Sequence, residues 1–580
     1  MTGGARLQRT SGCLSREPQE KNHGPTMKIR IDGTRVSALL LMLCIPTIVG
    51  AIGSCGDGRD AATAQAAPAS GASGQGDASS RRTSDASRGA GRGPSIPTAS
   101  LPPCGPSGDG RDFQVGNAKG QLASLEQVPW ESLVAGDTVR IFHRAAPYRG
   151  KMLLTAKGSA QAPVRVCGVR GPGGERPVVD GSRAATRPGL YYGNGNNGLL
   201  QESRAVVMIK NAREYTDFPT HIQIDGLVIR GAHPAHRFTD TKGDSRRYSD
   251  FGGCIWIDRG HHITIADNEI TDCTNGVFSK STDDGAFAVT RNVRLLGNYI
   301  HGNGLAGSER LHNSYIQSVG AVYEFNLYGP LRPKAGGAAL KDRSVGTVVR
   351  FNRIEEGARS IDLVEAEDYP ETAMADPAYR TSFVYGNQIV KDGDSGSFFH
   401  YGGDHYGSSP GANWGEPFFR KGVLYFFNNT VHVTGSGYYT KLFNLSTTEE
   451  RAEIWNNVFY FTPNAKYPSL RQGTEIGDAW TAGGILNFGR NWINANWMDS
   501  DPDHPVPGKI SGTHNFLTGT APPIDLITLV PLPGSTIIDA SQAPPRVAAS
   551  YSVNYQLDRN FSPQPRRVIG SAADLGAIER

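Results

Sequence analysis

The sequence predicts an all-β chain wound into a solenoid of parallel strands. Gly supplies 72 of the 580 residues, well above the ordinary ~7%, so the chain turns often. Seven short segments repeat one pattern, an apolar run, then Asn, any residue, and an apolar or aromatic residue. They are "TIADNEI" (Asn268), "RLLGNYI" (Asn298), "VYEFNLY" (Asn326), "VVRFNRI" (Asn352), "FVYGNQI" (Asn387), "YFFNNTV" (Asn429) and "EIWNNVF" (Asn457). Their spacings are 30, 28, 26, 35, 42 and 28 residues by subtraction, too long for hairpins and variable in the way of loops inserted into a fixed coil. Turns every ~8–12 residues, the mark of antiparallel hairpins, are missing.

Within each segment apolar and polar residues alternate with period two, which argues half-buried strand. A second, shorter strand follows after a Gly-rich or polar turn: "GVFSKS", "NSYIQS", "RSIDLVE", "GSFFHY" and "YTKLFNLS". Stacking equivalent strands ~4.8 Å apart runs backbone hydrogen bonding along the whole axis. Asn at the bend then has a task, since its amide bonds both to backbone and to the Asn above and below.

The N-terminal region reads as targeting and tether. Residues 1–26 form an upstream extension, and Met27 opens "MKIRIDGTRVSALLLMLCIPTIVGAIGSC", a basic stretch followed by an apolar run over 36–53. Three readings of the segment 27–55 stand: a lipoprotein signal ending at the lipobox-like "IGSC" with lipidation of Cys55, cleavage after "AQA" at 64–66, or an uncleaved anchor. Each exports the chain, to the outer membrane or periplasm as a lipoprotein or into the medium, and confines membrane contact to that segment. Residues 56–110 are Ala, Gly, Ser, Pro and Arg with almost no large apolar side chain, a flexible tether ahead of a folded domain over 111–580.

Export places Cys104, Cys167, Cys254 and Cys273 in an oxidising compartment. Of the three connectivities, Cys104 with Cys167 and Cys254 with Cys273 is preferred, the second pair being about one coil apart. A formal net charge of +4 is too small to argue for nucleic acid, and no zinc-like Cys/His spacing, P-loop or dinucleotide fingerprint occurs.

The Asn-x-apolar coils, the opening segment "WESLVAGDTVRIFHRAAPYRGKMLLTAKGSAQAPVRVCGVRGPGGERPVVDGS" and the terminal "IGSAADLGAIE" resemble right-handed parallel β-helix proteins of the pectate-lyase-like class, over about 113–580. The opening segment is most similar to that of the alginate lyase and chondroitinase B group. The resemblance implies one polysaccharide-binding solenoid, with "SLEQVPWESLV" from Ser124 as a short capping helix. "KDRSVGTVVRFNRI" resembles that group's "NKS" segment, with Arg343 at its catalytic Lys and Ser344 beside it. Two features depart. The group's catalytic Arg one coil later falls near Val364, in an acidic stretch. Its calcium-binding glutamates fall in "GGAAL", which carries no carboxylate, so no cofactor is expected.

Aligning coils by their apolar positions puts Leu340 over Ile361 and Phe399, which stacks Lys341, Asp362 and His400 on one outward face with Arg343 beside them. Tyr315, Gln317, Tyr328, Glu365, Glu367, Asp368, Asp404 and His405 are expected on the rim. A lyase must neutralise a uronate carboxylate, remove a proton and protonate the leaving oxygen. Lys341 or Arg343 suits the first role, His400 or Lys341 the base, and Tyr401 the acid. A hydrolase uses two carboxylates, here Asp362 with Asp404 or Glu365. In simpler readings Lys341 and Asp362 form a surface ion pair worth ~0–1 kcal/mol, His400 is structural, and Asp404 caps a turn. The function expected is β-eliminative cleavage of an anionic polysaccharide by a monomer, with hydrolysis or carbohydrate binding without cleavage as alternatives.

Overall fold

The computed structural model describes residues 101–580 apart from 393–395, 405–417, 436–440, 473, 477–478, 501, 503–505 and 507. The leader with Cys55, the tether before residue 101, and His405 lie outside the described residues. Three parallel sheets of 13, 11 and 10 strands carry the domain, each built from strands contributed once per coil, so the chain is a parallel β-helix. One coil illustrates the order: His261–Ala266 in the first sheet, Glu269–Thr271 in the second, Asn275–Ser279 in the third, then Arg291–Leu296 back in the first. Ile263 and Ile265 face Val293 and Leu295 in register, so the inward positions of successive coils form apolar rows.

The bend between the first and second sheets explains the repeated Asn. Each side-chain amide donates to the Asn carbonyl of the next coil at 2.9–3.3 Å. That same carbonyl oxygen accepts the backbone amide of the preceding Asn, as where Asn326 N reaches Asn352 Oδ1 at 2.9 Å. The ladder extends one rung beyond the seven repeats, to Asn491 in "GRNWINA". The residue just before each of the first seven Asn is left-handed, including Phe325 at φ 58° and Phe351 at φ 57°. A bulky residue there costs on the order of 1 kcal/mol or more. The conformation throws both rings outward, where they stack 5.5 Å apart and meet Tyr555 of the C-terminal segment edge-on.

The ends of the domain differ in detail from the expectation. The capping segment is two 3-10 turns, Leu125–Gln127 and Trp130–Ser132, because Pro129 prevents a continuous helix. Leu125 and Trp130 are buried, and the second turn packs on Met152–Leu154, the first strand of the third sheet. Residues 101–110, placed in the tether from composition, run beside the first coils, with Cys104 disulfide-bonded to Cys167. Cys254 is bonded to Cys273, so both expected pairs form. The C-terminal segment packs Ile524, Leu529, Ile537 and Leu575 against Val458, Tyr460 and Trp492, along the outer side of the second sheet.

Asn352 sits mid-ladder, and truncating it strands the buried amides of Asn326. At ~1–3 kcal/mol per unmet buried group, Asn352→Ala is expected to lower stability by ~3 kcal/mol or more in urea unfolding. The same change at the terminal rung, Asn491, is expected to cost less.

Candidate functional site

Alternation along the third sheet sorts its residues into an inward and an outward set. Leu340, Ile361, Phe399 and Phe443 stack inward, and Tyr315, Lys341, Asp362, His400 and Asn444 stack outward in register. Arg343 and Ser446, two residues beyond Lys341 and Asn444, share the outward side.

Ion pairing ties this wall together. Lys341 Nζ lies 3.2 Å from Asp362 Oδ2 and also contacts Asp404 Oδ2. Arg343 donates from Nη2 to Asp404 Oδ1 at 2.7 Å, from Nη1 to Glu365 Oε2 at 2.9 Å, and from Nε to the Tyr315 hydroxyl at 2.8 Å. The two cations therefore grip opposite oxygens of the Asp404 carboxylate. Tyr315 in turn donates to Glu367 Oε1 at 3.4 Å. Asp404 and Glu367 are the more open members, with side chains 18% and 24% exposed against 2% for Asp362.

Burial alone would raise the Asp362 carboxyl, but Lys341, Arg359 and the His400 hydrogen bond outweigh it and hold it well below the usual carboxylate range. Burial would lower Lys341, yet Asp362 and Asp404 keep it above its ordinary value, so it is an ammonium at neutral pH. The Tyr315 phenol is pushed up to about 12 by burial, with Arg343 pulling the other way. It is therefore a protonated hydroxyl in neutral solution.

Four expectations are corrected. Tyr401 follows His400 directly, so it points into the core with Leu363 and Leu445 and cannot act on the wall. Tyr328 lies in a second-sheet strand, fully buried, its hydroxyl 3.2 Å from Ser314 Oγ, and forms no rim. Glu365 is also fully buried, accepting from Arg343 and, at 3.0 Å, from the Asp404 amide; it braces the site from below. Gln317 is buried too, bridging the Ser281 amide and the Asp368 carboxylate at 2.9 and 2.6 Å.

His400 is fixed from both sides. Its Nδ1 lies 2.7 Å from Asp362 Oδ1 and its Nε2 2.9 Å from Ser446 Oγ, a residue the sequence reading missed. The resulting Ser-His-Asp chain runs along the helix axis. Ser446 is fully buried and also takes the Gly403 amide at 2.9 Å, so it anchors the ring and presents no nucleophile. Gly402 (φ 134°) is required here, because a Cβ would fall 2.7 Å from Ser446 Oγ. With both nitrogens engaged, His400 braces Asp362 and offers no lone pair to solvent, which counts against its role as base. Counting two residues past the Asn444 position would have found Ser446.

His312 was missed as well. Its ring meets Tyr315 edge-on at 5.4 Å, its Nδ1 accepts the Ala338 amide at 2.8 Å, and burial with Lys341 nearby pushes it down to about 3. It is a neutral imidazole carrying hydrogen on Nε2. Beneath the wall, Arg420 joins Asp342 at 3.3 Å and donates to the carbonyls of Val364 and Ser344, both at 2.9 Å, locking the strand ends. Among the described residues no group of three or more His, Cys, Asp or Glu is placed to hold a metal ion.

Asp362→Asn is expected to cost ~3 kcal/mol at pH 7, since it leaves a buried cation less compensated. A depressed carboxyl stabilises the fold above its unfolded pKa of ~3.9 and loses that contribution as pH falls through the folded value. The gap between the wild type and Asp362→Asn in urea midpoints is therefore expected to close below about pH 4.

No protein-family model and no curated protein matches the chain. Among solved structures it is similar to a GH136 lacto-N-biosidase from Eubacterium ramulus, at 11% identity and TM-score 0.38 over 71% of this chain and 68% of that one. An alginate lyase from Paenibacillus sp. str. FPU-7 is similar at 13% identity and TM-score 0.26, over 68% and 95%. A pectate lyase is similar at 10% identity and TM-score 0.28, over 81% and 96%.

Proposed function

We propose that the wall cleaves a uronate-containing polysaccharide by β-elimination. The observation that carries this reading is the grip of Lys341 and Arg343 on opposite oxygens of one carboxylate, with the Tyr315 hydroxyl on the same guanidinium. A uronate carboxylate entering in place of Asp404 meets the same two cations, which stabilise the negative charge that develops when carbon five loses its proton. Tyr315 in its phenolate form takes that proton, the bond from carbon four to the glycosidic oxygen breaks as the double bond forms, and the phenol returns the proton to the leaving oxygen. Lys341, held as an ammonium, serves the clamp and not the base.

One observation favours hydrolysis as the second reading. Asp362 and Asp404 both contact the Lys341 ammonium nitrogen, so two carboxylates sit within reach of one bound group, as a hydrolase requires. Against it, Asp362 is kept ionised, whereas the acid of such a pair needs a raised pKa.

Incubation with a panel of polyuronates is expected to generate the ultraviolet absorbance of an unsaturated uronate, at a rate that rises with pH through the neutral and mildly alkaline range. Tyr315→Phe is expected to lower kcat by ~10²–10⁴ and to flatten that slope. Reducing ends released without the absorbance would overturn the elimination. Asp404→Asn separates the two chemistries, because elimination predicts a lower KM with activity retained and hydrolysis predicts loss of activity.

A further inference from the structure

The outward row that carries the charged wall continues toward the N-terminus. Lys341 pairs with Tyr315, and then in turn Phe278, Trp256, Met208 and Leu153 follow in register. Five strand steps of ~4.8 Å place Leu153 about 24 Å from Lys341 along the axis. There the row ends at a cavity of about 390 Å³ lined by Leu153, Thr155, Tyr191, Arg213, Glu214 and Asp217.

Its chemistry suits a sugar. Ligand sites combine an apolar or aromatic surface with a few polar groups that fix orientation, in ~300–1,000 Å³. Tyr191 supplies the ring, with the Arg213 guanidinium 4.8 Å and Lys210 Nζ 5.5 Å from its centroid. Asp217 is neutralised by Lys157, and Glu131, also at the cavity, by Arg187, whereas Glu214 has no ion pair among the described residues and stands beside Arg213 as an acceptor for sugar hydroxyls. Arg213 forms no ion pair among the described residues, which leaves its guanidinium for an incoming anion.

We infer that this cavity is a distal subsite for the same anionic polysaccharide, with Tyr191 stacking on a sugar ring and Arg213 pairing with a uronate carboxylate. The inference rests on the polyuronate reading of the charged wall. At about one sugar per strand spacing, a chain engaged at both places spans roughly five residues or more, so the two sites together measure polymer length.

The test uses the full chain carrying Tyr315→Phe, to suppress cleavage, and calorimetric titration with size-graded oligouronates from polygalacturonate and alginate. Adding Tyr191→Ala or Arg213→Gln is expected to weaken binding tenfold or more for oligomers of six residues and longer, with a smaller penalty for shorter ones. Tyr191→Phe, which keeps the ring, is expected to restore most of the affinity. Equal affinities across all lengths in these variants, with cleavage by the native chain intact, would remove the distal subsite and leave the cleavage reading standing. Tyr191-dependent binding without cleavage by the native chain would do the reverse, and no binding to any oligomer would remove both.

Discussion

Everything on the wall depends on coils stacking in step. A parallel sheet tolerates slippage where its faces are alike, and a slip of one residue exchanges every inward side chain for an outward one. Here that slip would bury Asp362 and His400 in the apolar interior and expose Ile361 and Phe399. The Asn ladder prevents it at the corner between the first and second sheets, because each Asn must meet the Asn of the next coil to satisfy buried amides on both. The polar ladder costs nothing in unmet hydrogen bonds and admits one register only. The two left-handed phenylalanines belong to the same solution, since their strain is offset by packing under the C-terminal segment.

A register fixed this firmly lets the chain concentrate charge. Burying a carboxylate or a guanidinium singly is prohibitive, and a buried pair repays desolvation only with further hydrogen bonds. The wall meets that condition by sharing: Asp362 takes Lys341 on one oxygen and His400 on the other, and Arg343 uses its three nitrogens on Asp404, Glu365 and Tyr315. Such mutual dependence holds the side chains in one arrangement, as the clamp proposed above requires. The same physics places the more open carboxylates, Asp404 and Glu367, at the edge that solvent reaches, while Asp362 and Glu365 stay beneath.

Much of this was legible in the sequence, for a definite reason. The ladder recurs with a period that survives loops of different length, so the parallel coils and the stacking of Lys341, Asp362 and His400 follow from aligning apolar positions, while the disulfide pairs rest on export and, for Cys254 with Cys273, on coil spacing. Tyr401 and Tyr328 were misplaced because proximity along the chain was taken for proximity in space. Adjacent residues on a strand face opposite ways, and Tyr328 belongs to a different sheet from Tyr315. Ser446 was missed for the converse reason, since it reaches His400 from the next coil, and His312 because it precedes the Tyr315 strand in a segment with no alternation to align. Phe at the left-handed position escapes the rule that Gly, Asn or Asp marks such a bend, because tertiary packing supplies what local preference lacks.

The unequal spacings of the ladder finally separate scaffold from chemistry. The longest interval, 42 residues between Asn387 and Asn429, leaves the rung unaffected at 2.9 Å. It nevertheless delivers His400, Asp404 and Arg420, three groups on which the wall's ion pairs depend. Loop closure costs rise only slowly with length, so a coil can absorb such an insertion while its strands keep their partners. The long coil therefore adds partners to a wall whose Tyr315, Lys341 and Arg343 come from coils of ordinary spacing. Asp404 leaves the third sheet as the long coil begins, and Arg420 returns beneath the same strand ends as it closes toward the first. The insertion grips the site from the open side and from below, and a shorter coil of the ordinary spacing would supply neither contact.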